Sequence, residues 1–306
     1  MNTFTKVIAV AALLTGCTLR SSGTETTESV ATSTSSSVST TSTSAPSTTS
    51  TITATSTTTP ATTGPSTTAP AATVNVAAYF VHAEKLTVLG RQVAAPTPYS
   101  ALRALLAGPT ANERAAGVLT LVPTGSRLLG AEVKGSEITV DLSSQFENMG
   151  GSFAVRMAIA QVVYTVTQFP GVTSVRFRID GQPRDMLTGE GIMVDPATPE
   201  QYRDDVLPGI LLQSPVPGDA YREPVTIRGT SNVFEATVNY QLVAPNGTVL
   251  MEGVTMATCG TGCWGTFRQQ LPALPAGTKG PITLRVFDWS EADGVTMLDL
   301  VEFVLT

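Results

Sequence analysis

The feature that most limits what this chain can fold into is a tract from Thr18 to about Ala72 built almost wholly of Ser, Thr, Ala and Pro, purest over Thr32 to Ser44 and Ser47 to Thr59. A folded domain must bury enough apolar surface to offset an ordering cost of about 1–2 kcal/mol per residue, and this tract has scarcely any large apolar side chain to bury. Every core must therefore come from the residues after it. As a coil the tract spans roughly 40 Å, and several-fold more when drawn out. The sequence thus predicts a disordered stalk over 17–72 that gives reach to whatever follows. Its Ser/Thr-rich, Pro-containing make-up also suits O-linked sugars, which would stiffen it.

The residues before the tract read as an export signal. Lys6 supplies a positive charge, Val7 to Leu14 a short apolar run, and Leu14-Thr15-Gly16 a small-residue approach to Cys17. The run is about half of the ~20 residues needed to span a bilayer. This pattern resembles the lipobox of bacterial lipoproteins. The resemblance implies that residues 1–16 are a signal peptide, that Cys17 is lipidated and becomes the first residue of the mature chain, and that two or three acyl chains hold it at the extracytoplasmic face of the cell membrane.

After Thr73 the pattern changes. Val74, Val76, Ala78 and Phe80 alternate, as do Leu86 and Val88, so the region opens with two strands. Thr97 is a plausible N-cap and Pro98 a first helical residue, with Leu102, Leu105 and Leu106 on one face and Gly108-Pro109 as the stop. Two strand-like runs, 127–133 and 137–142, flank the turn Lys134-Gly135-Ser136. A second helix, read as capped by Ser152, is apolar nearly all round from Phe153 to Phe169, and one more strand runs from Val172 to Ile179. The order ββαββαβ predicts an α+β domain over 73–195, a mixed sheet with two helices packed on one face.

A Pro-rich, acidic stretch, 196–208, reads as a linker. Beyond it lie seven short strand candidates, 210–213, 225–229, 235–243, 248–255, 264–271, 282–288 and 297–305. Seven short strands with turns between them predict an all-β immunoglobulin-like sandwich over 209–306.

Several stretches carry a family resemblance. Tyr79-Phe80, Ala101 to Pro109 (A-L-R-A-L-L-A-G-P), Val122-Pro123, Gly130 to Phe146, Gln161 to Tyr164 and Phe169-Pro170-Gly171-Val172 resemble, in order and spacing, the GerMN domain of bacterial sporulation and spore-germination proteins. Ser214 to Gly218, Pro224 to Gly229, Phe234-Glu235-Ala236 with Val238, Gly262 to Phe267, and Val286-Phe287-Asp288 with Asp293-Gly294 resemble the immunoglobulin-like domain found beside it. The resemblance implies non-catalytic envelope modules, some of which resemble ring-building domains that assemble through sheet and helix surfaces.

Candidate sites are few. Cys259 and Cys263 stand in C-G-T-G-C-W, and in an exported chain a disulfide is the expectation, with free thiols as the alternative. A metal site would need further ligands, and the only histidine, His82, lies in the other domain. A redox pair would have two intervening residues, whereas this pair has three. Asp288, Ser290, Glu291 and Asp293-Gly294 resemble a calcium loop superficially, but Ala292 breaks the alternation of oxygens and no glutamate closes it. Asn246-Gly247-Thr248 matches a glycosylation acceptor, but between two apolar runs Asn-Gly is the favoured two-residue hairpin turn, which explains it fully. Asp204-Asp205 and Arg184-Asp185 read as loop charges. No nucleophile-elbow motif accompanies His82.

With 14% charged residues and a net charge of −6, the chain offers no basic face for nucleic acid. No cofactor or metal is expected, and the chain is read as not an enzyme. The function read from the sequence is an interaction or assembly module of the envelope, related to sporulation or germination. The alternative is a sensor or accessory protein binding peptidoglycan or another glycan, with Tyr79, Tyr221, Tyr240, Trp264 or Trp289 as stacking platforms. A third, a wall hydrolase, needs paired carboxylates or a zinc site.

Overall fold

A computed structural model describes residues 72–221, 223–290 and 294–305; Cys17, the leader and nearly all of the stalk lie outside the described residues. The unit Thr67–Thr306 contains both expected domains.

The first domain opens with β1 (Val74–His82) and β2 (Lys85–Val93), an antiparallel hairpin in register throughout. Its two-residue turn, Ala83-Glu84, has positive φ at both positions, the conformation whose twist suits a hairpin. Helix α1 (Pro98–Leu106) begins as its sequence requires: the Thr97 hydroxyl accepts from the Ser100 amide at 3.1 Å, Pro98 fills the first position, and Ala101, Leu102 and Leu105 are buried. A short α2 (Ala111–Ala115), not expected from the sequence, is capped reciprocally by Thr110 and Glu113.

Strands β3 (Leu128–Lys134), β4 (Glu137–Leu142), β5 (Ser174–Ile179) and β6 (Gln182–Arg184) make a mixed four-stranded sheet in that order, with β4 and β5 parallel across the helical crossover α3 (Ser152–Thr167). Thus the first five strands and two principal helices follow the order ββαββαβ, but the β1–β2 ribbon is a sheet of its own. Helix α3 packs on both β1 and β5, and α1 packs on α3, β1 and β3. The N-cap of α3 is Gly151, at φ +79°, and Ser152 is the first helical residue, its hydroxyl donating to Glu190 at 2.8 Å. Two short strands, β7 (Met186–Leu187) and β8 (Ile192–Met193), follow.

The segment read as a linker is folded onto the first domain. Ala197 bridges to Val175, a 3-10 turn over Pro199–Gln201 leads into α4 (Arg203–Val206), and Ala197, Tyr202, Val206 and Leu207 are buried in the first core. A Pro-rich, acidic sequence does not distinguish a flexible joint from a segment whose few apolar residues dock on a neighbour.

All seven expected strands of the second domain are present, with one short addition. These are β9 (Ile210–Ser214), β10 (Ala220–Tyr221), β11 (Thr226–Ser231), β12 (Thr237–Val243), β13 (Val249–Met256), β14 (Gly265–Gln270), β15 (Gly280–Ser290) and β16 (Gly294–Leu305). They form a three-stranded sheet β14-β11-β9 and a five-stranded sheet β10-β16-β15-β12-β13. Ile227, Phe267, Val238, Leu242, Leu284 and Val286 are among the residues that fill the core between them. Two glycines are required by close approach: the Phe267 ring covers its cross-strand partner Gly229, and the Tyr240 ring covers Gly253, so a Cβ at either place would overlap the ring. The β12–β13 turn is longer than the expected two residues. The Gly247 amide donates to the Ala244 carbonyl at 2.9 Å and Gly247 itself takes φ +85°, which puts Pro245-Asn246 at the centre of the turn.

Candidate functional site

The site begins with a problem that β1 poses. One edge of β1 pairs with β2, and the other edge would leave backbone groups buried and unbonded. Helix α3 supplies side chains in place of a strand. Gln168 accepts from the Ala77 amide at 3.1 Å and donates to the Ala77 carbonyl at 2.7 Å. Thr165 accepts from the Tyr79 amide at 3.1 Å, and Gln161 donates to the Tyr79 carbonyl at 3.0 Å. Gln161 also accepts from the Leu121 amide at 2.8 Å. Next along β1, Val81 exchanges both backbone bonds with Leu119. Positions 161, 165 and 168 recur at i, i+4 and i+7, one face of a helix, so Gln161, Thr165 and the C-cap Gln168 form a polar ladder along the strand edge. Their spacing was the signal the sequence reading passed over.

The ladder fixes Tyr79 where the two domains meet. Strand β9 belongs to both cores: Ile210 and Leu212 lie in the second, and Leu211 between them lies in the first, as period-2 alternation dictates. Asn75 donates to the Pro217 carbonyl at 3.0 Å and to Asp219 at 2.8 Å. Gly90 lies so close to the Pro217 carbonyl that a Cβ would collide with it. From the second domain, Trp264 packs on the first core and its indole N–H donates to Asp204.

Between these contacts remains a cleft of about 390 Å³ lined by both domains. Tyr79, Tyr164 and Trp264 provide aromatic walls, Gln168, Gln213, Thr230 and Thr266 neutral polar groups, Arg203 a guanidinium and Glu200 a carboxylate. Tyr79 and Tyr164 stand 5.6 Å apart, tilted by 44°. Burial pushes the Tyr79 hydroxyl up to about 12, against the opposing effects of its hydrogen bond with Gln213 and the charge of Arg228. Burial also raises Tyr202 to about 12 and Tyr164 higher still. These hydroxyls stay neutral at physiological pH. Arg203 is half-buried, its Nε is buried without a hydrogen-bond partner, and it makes no ion pair among the described residues. Hydroxyls, amides, rings, a carboxylate and a guanidinium whose Nε is unbonded make an arrangement suited to holding a ligand.

Of the residues singled out by sequence, the structure brings Tyr79 and Trp264 into this cleft, and Asp204 beside it. Tyr240 lies in the second core, Trp289 is exposed on β15 away from it, and the side chain of Tyr221 lies outside the described residues. Cys259 and Cys263 form a disulfide with Cα atoms 5.8 Å apart, and the loop it closes is pinned to the connection between β11 and β12 by the Thr261 amide donating to the Val233 carbonyl at 2.8 Å. His82 is exposed at the end of β1, and Asp288 sits in the β15–β16 hairpin, whose Glu291 and Asp293 lie outside the described residues. Asp205 pairs with Arg156 at 2.8 Å and Arg184 with Glu147 at 3.0 Å. Among the described residues no group of three or more His, Cys, Asp or Glu side chains gathers, and no helix is long and apolar enough to cross a membrane.

Comparison with known proteins gives the following. Residues 74–185 match the Germane family, described as sporulation and spore germination, and residues 209–295 match the Gmad2 family, the immunoglobulin-like domain of bacterial spore germination. No curated protein matches the chain. Among solved structures, the first GerMN domain of the sporulation protein GerM from Bacillus subtilis is 21% identical over 42% of this chain and 98% of that one, with a TM-score of 0.34. The tandem GerMN domains of the same protein are 17% identical over 59% of each chain, with a TM-score of 0.34. The family matches, rather than these structural likenesses, carry the assignment: the chain joins a sporulation and spore germination domain to the immunoglobulin-like domain of bacterial spore germination.

Proposed function

We propose that this chain is an envelope lipoprotein, anchored through Cys17 at the extracytoplasmic face of the cell membrane, whose two domains act without catalysis as an interaction or assembly module in sporulation or germination. The observation that carries the reading is the pair of germination-type domains behind a lipobox and a stalk. A surface suited to a protein partner supports it. Strand β13 is an edge of the five-stranded sheet, and Val254 and Met256 on it are 54% and 59% exposed, with Phe234 beside Thr237, the partner of Met256, 65% exposed. An edge strand with apolar side chains is a template for pairing with another chain. Cross-linking in intact cells, followed by identification of the captured proteins, tests this: capture of envelope proteins that Val254→Lys and Met256→Lys abolish is expected. Capture indifferent to both changes counts against β13 as the contact, and release of wall fragments by the purified chain overturns the non-catalytic reading.

A second reading, an accessory protein that binds a wall glycan, is favoured by the cleft at the domain seam with its tyrosines and Trp264.

A further inference from the structure

Two features of the seam lack an explanation in the fold itself. One is Arg203: a half-buried guanidinium whose Nε has no partner forgoes hydrogen bonds that burial makes expensive to lose. The other lies on the sheet that forms the far wall. Thr230 on β11 and Thr266 on β14 are cross-strand partners lining the cleft, and two residues away on the same face Arg228 and Arg268 are cross-strand partners as well. Like charges directly opposite each other are destabilising, and neither arginine has an ion-pair partner among the described residues. In a chain of net charge −6, Arg203 lines the cleft together with one carboxylate, Glu200, and the exposed Arg228 and Arg268 stand beside its threonine wall. An anionic ligand would relieve both costs.

The remaining lining narrows the class. Threonine hydroxyls and the amide of Gln213 match the hydroxyl and amide groups of a saccharide, and Trp264 and Tyr164 offer apolar ring faces. The volume, about 390 Å³, sits at the small end of ligand clefts. Arginine Nε and Nη together make the planar fork that a carboxylate accepts side-on.

Resting on the glycan-binding reading, we infer that the seam cleft binds a carboxylate-bearing amino sugar, with Arg203 holding the carboxylate and the Arg228–Arg268 pair attracting further negative charge along the same chain.

N-acetylmuramic acid and N-acetylglucosamine differ by one lactyl ether carrying a carboxylate, so they separate charge from sugar. Both are titrated, by amide chemical-shift change, into the chain from Thr67 onward, which contains both cores. The acid is expected to bind at least tenfold more tightly, with shifts at Thr230, Thr266 and Trp264. Arg203→Gln should erase that preference, and Thr266→Trp, at an exposed position that tolerates a larger side chain, should block both sugars. Equal binding of the two sugars overturns the carboxylate assignment and leaves the glycan reading standing. Binding of neither overturns both, and a preference that survives Arg203→Gln overturns the role of that residue.

Discussion

Replacing Thr165 by valine removes one hydroxyl and almost no volume, so it isolates the side-chain ladder from packing. In the native chain the Tyr79 amide, buried at the domain seam, donates to Thr165 at 3.1 Å. Valine fills the same space without an acceptor, leaving that amide unsatisfied, at a cost of about 1–3 kcal/mol. Thr and Val have similar helix propensities, so α3 itself should not weaken. Gln161→Leu goes further: it orphans the Leu121 amide and the Tyr79 carbonyl together, for roughly 2–6 kcal/mol if the two groups add. Because both changes strip groups of Tyr79, the double variant should fall short of the sum. Urea unfolding gives the free energies, with the exposed Thr248→Val as a control expected within about 0.5 kcal/mol of the parent. Hydrogen exchange gives a local readout: the Tyr79 amide should lose protection in Thr165→Val before its neighbours do. If Thr165→Val matches the control in stability and the Tyr79 amide stays protected, the ladder does not hold β1 and the reasoning is wrong.

Further predictions follow from the same seam. Since burial raises Tyr79 and Tyr202 to about 12 in the folded chain from 10.0 in the ordinary state, and Tyr164 also rises, their contribution is fully present below pH 10. It is lost as pH climbs from 10 to 12, by up to about 1.4 kcal/mol per unit for each tyrosine, because only the unfolded chain then ionises. An ultraviolet phenolate titration should show these three unionised at pH 11 until the chain unfolds, and an early, complete titration would refute the assignment. Leu211→Ala removes the side chain that the second domain places in the first core, at about 2–5 kcal/mol. Calorimetry should then resolve two transitions where the parent shows one. Cys17→Ser should abolish incorporation of labelled palmitate and release the chain from the membrane, and continued labelling would remove the lipid anchor from the proposal.

Much of the architecture was legible because it rests on periodicity. Alternation located β1 and β2, short strand-like runs separated by turns located all seven principal strands of the second domain, and the Thr97-Pro98 start and Gly108-Pro109 stop bracketed α1. The α3 burial was legible for the same reason, since a helix apolar on every side has to be enclosed. Short elements held by local capping, such as α2 with Thr110 and Glu113, were written in the sequence but too brief for a periodic signal. The candidate site was legible only in fragments: Tyr79 and Trp264 were named as aromatics, but nothing in a linear reading joined them to each other or to Arg203.

By itself, the sequence determined the principal elements, their order and the break in composition near residue 72. These follow from local propensity and from side-chain chemistry that acts over a few residues. Tertiary structure decided that 196–208 packs down instead of spanning, that β1 is completed by Gln161, Thr165 and Gln168, and that Leu211 fastens the domains together. It also decided that Arg203 lines a cleft with its buried Nε unbonded. Each depends on residues far apart in the chain meeting across a burial surface, where the cost of an unsatisfied polar group or an exposed apolar one selects the arrangement, and no window of sequence contains both sides of that contact.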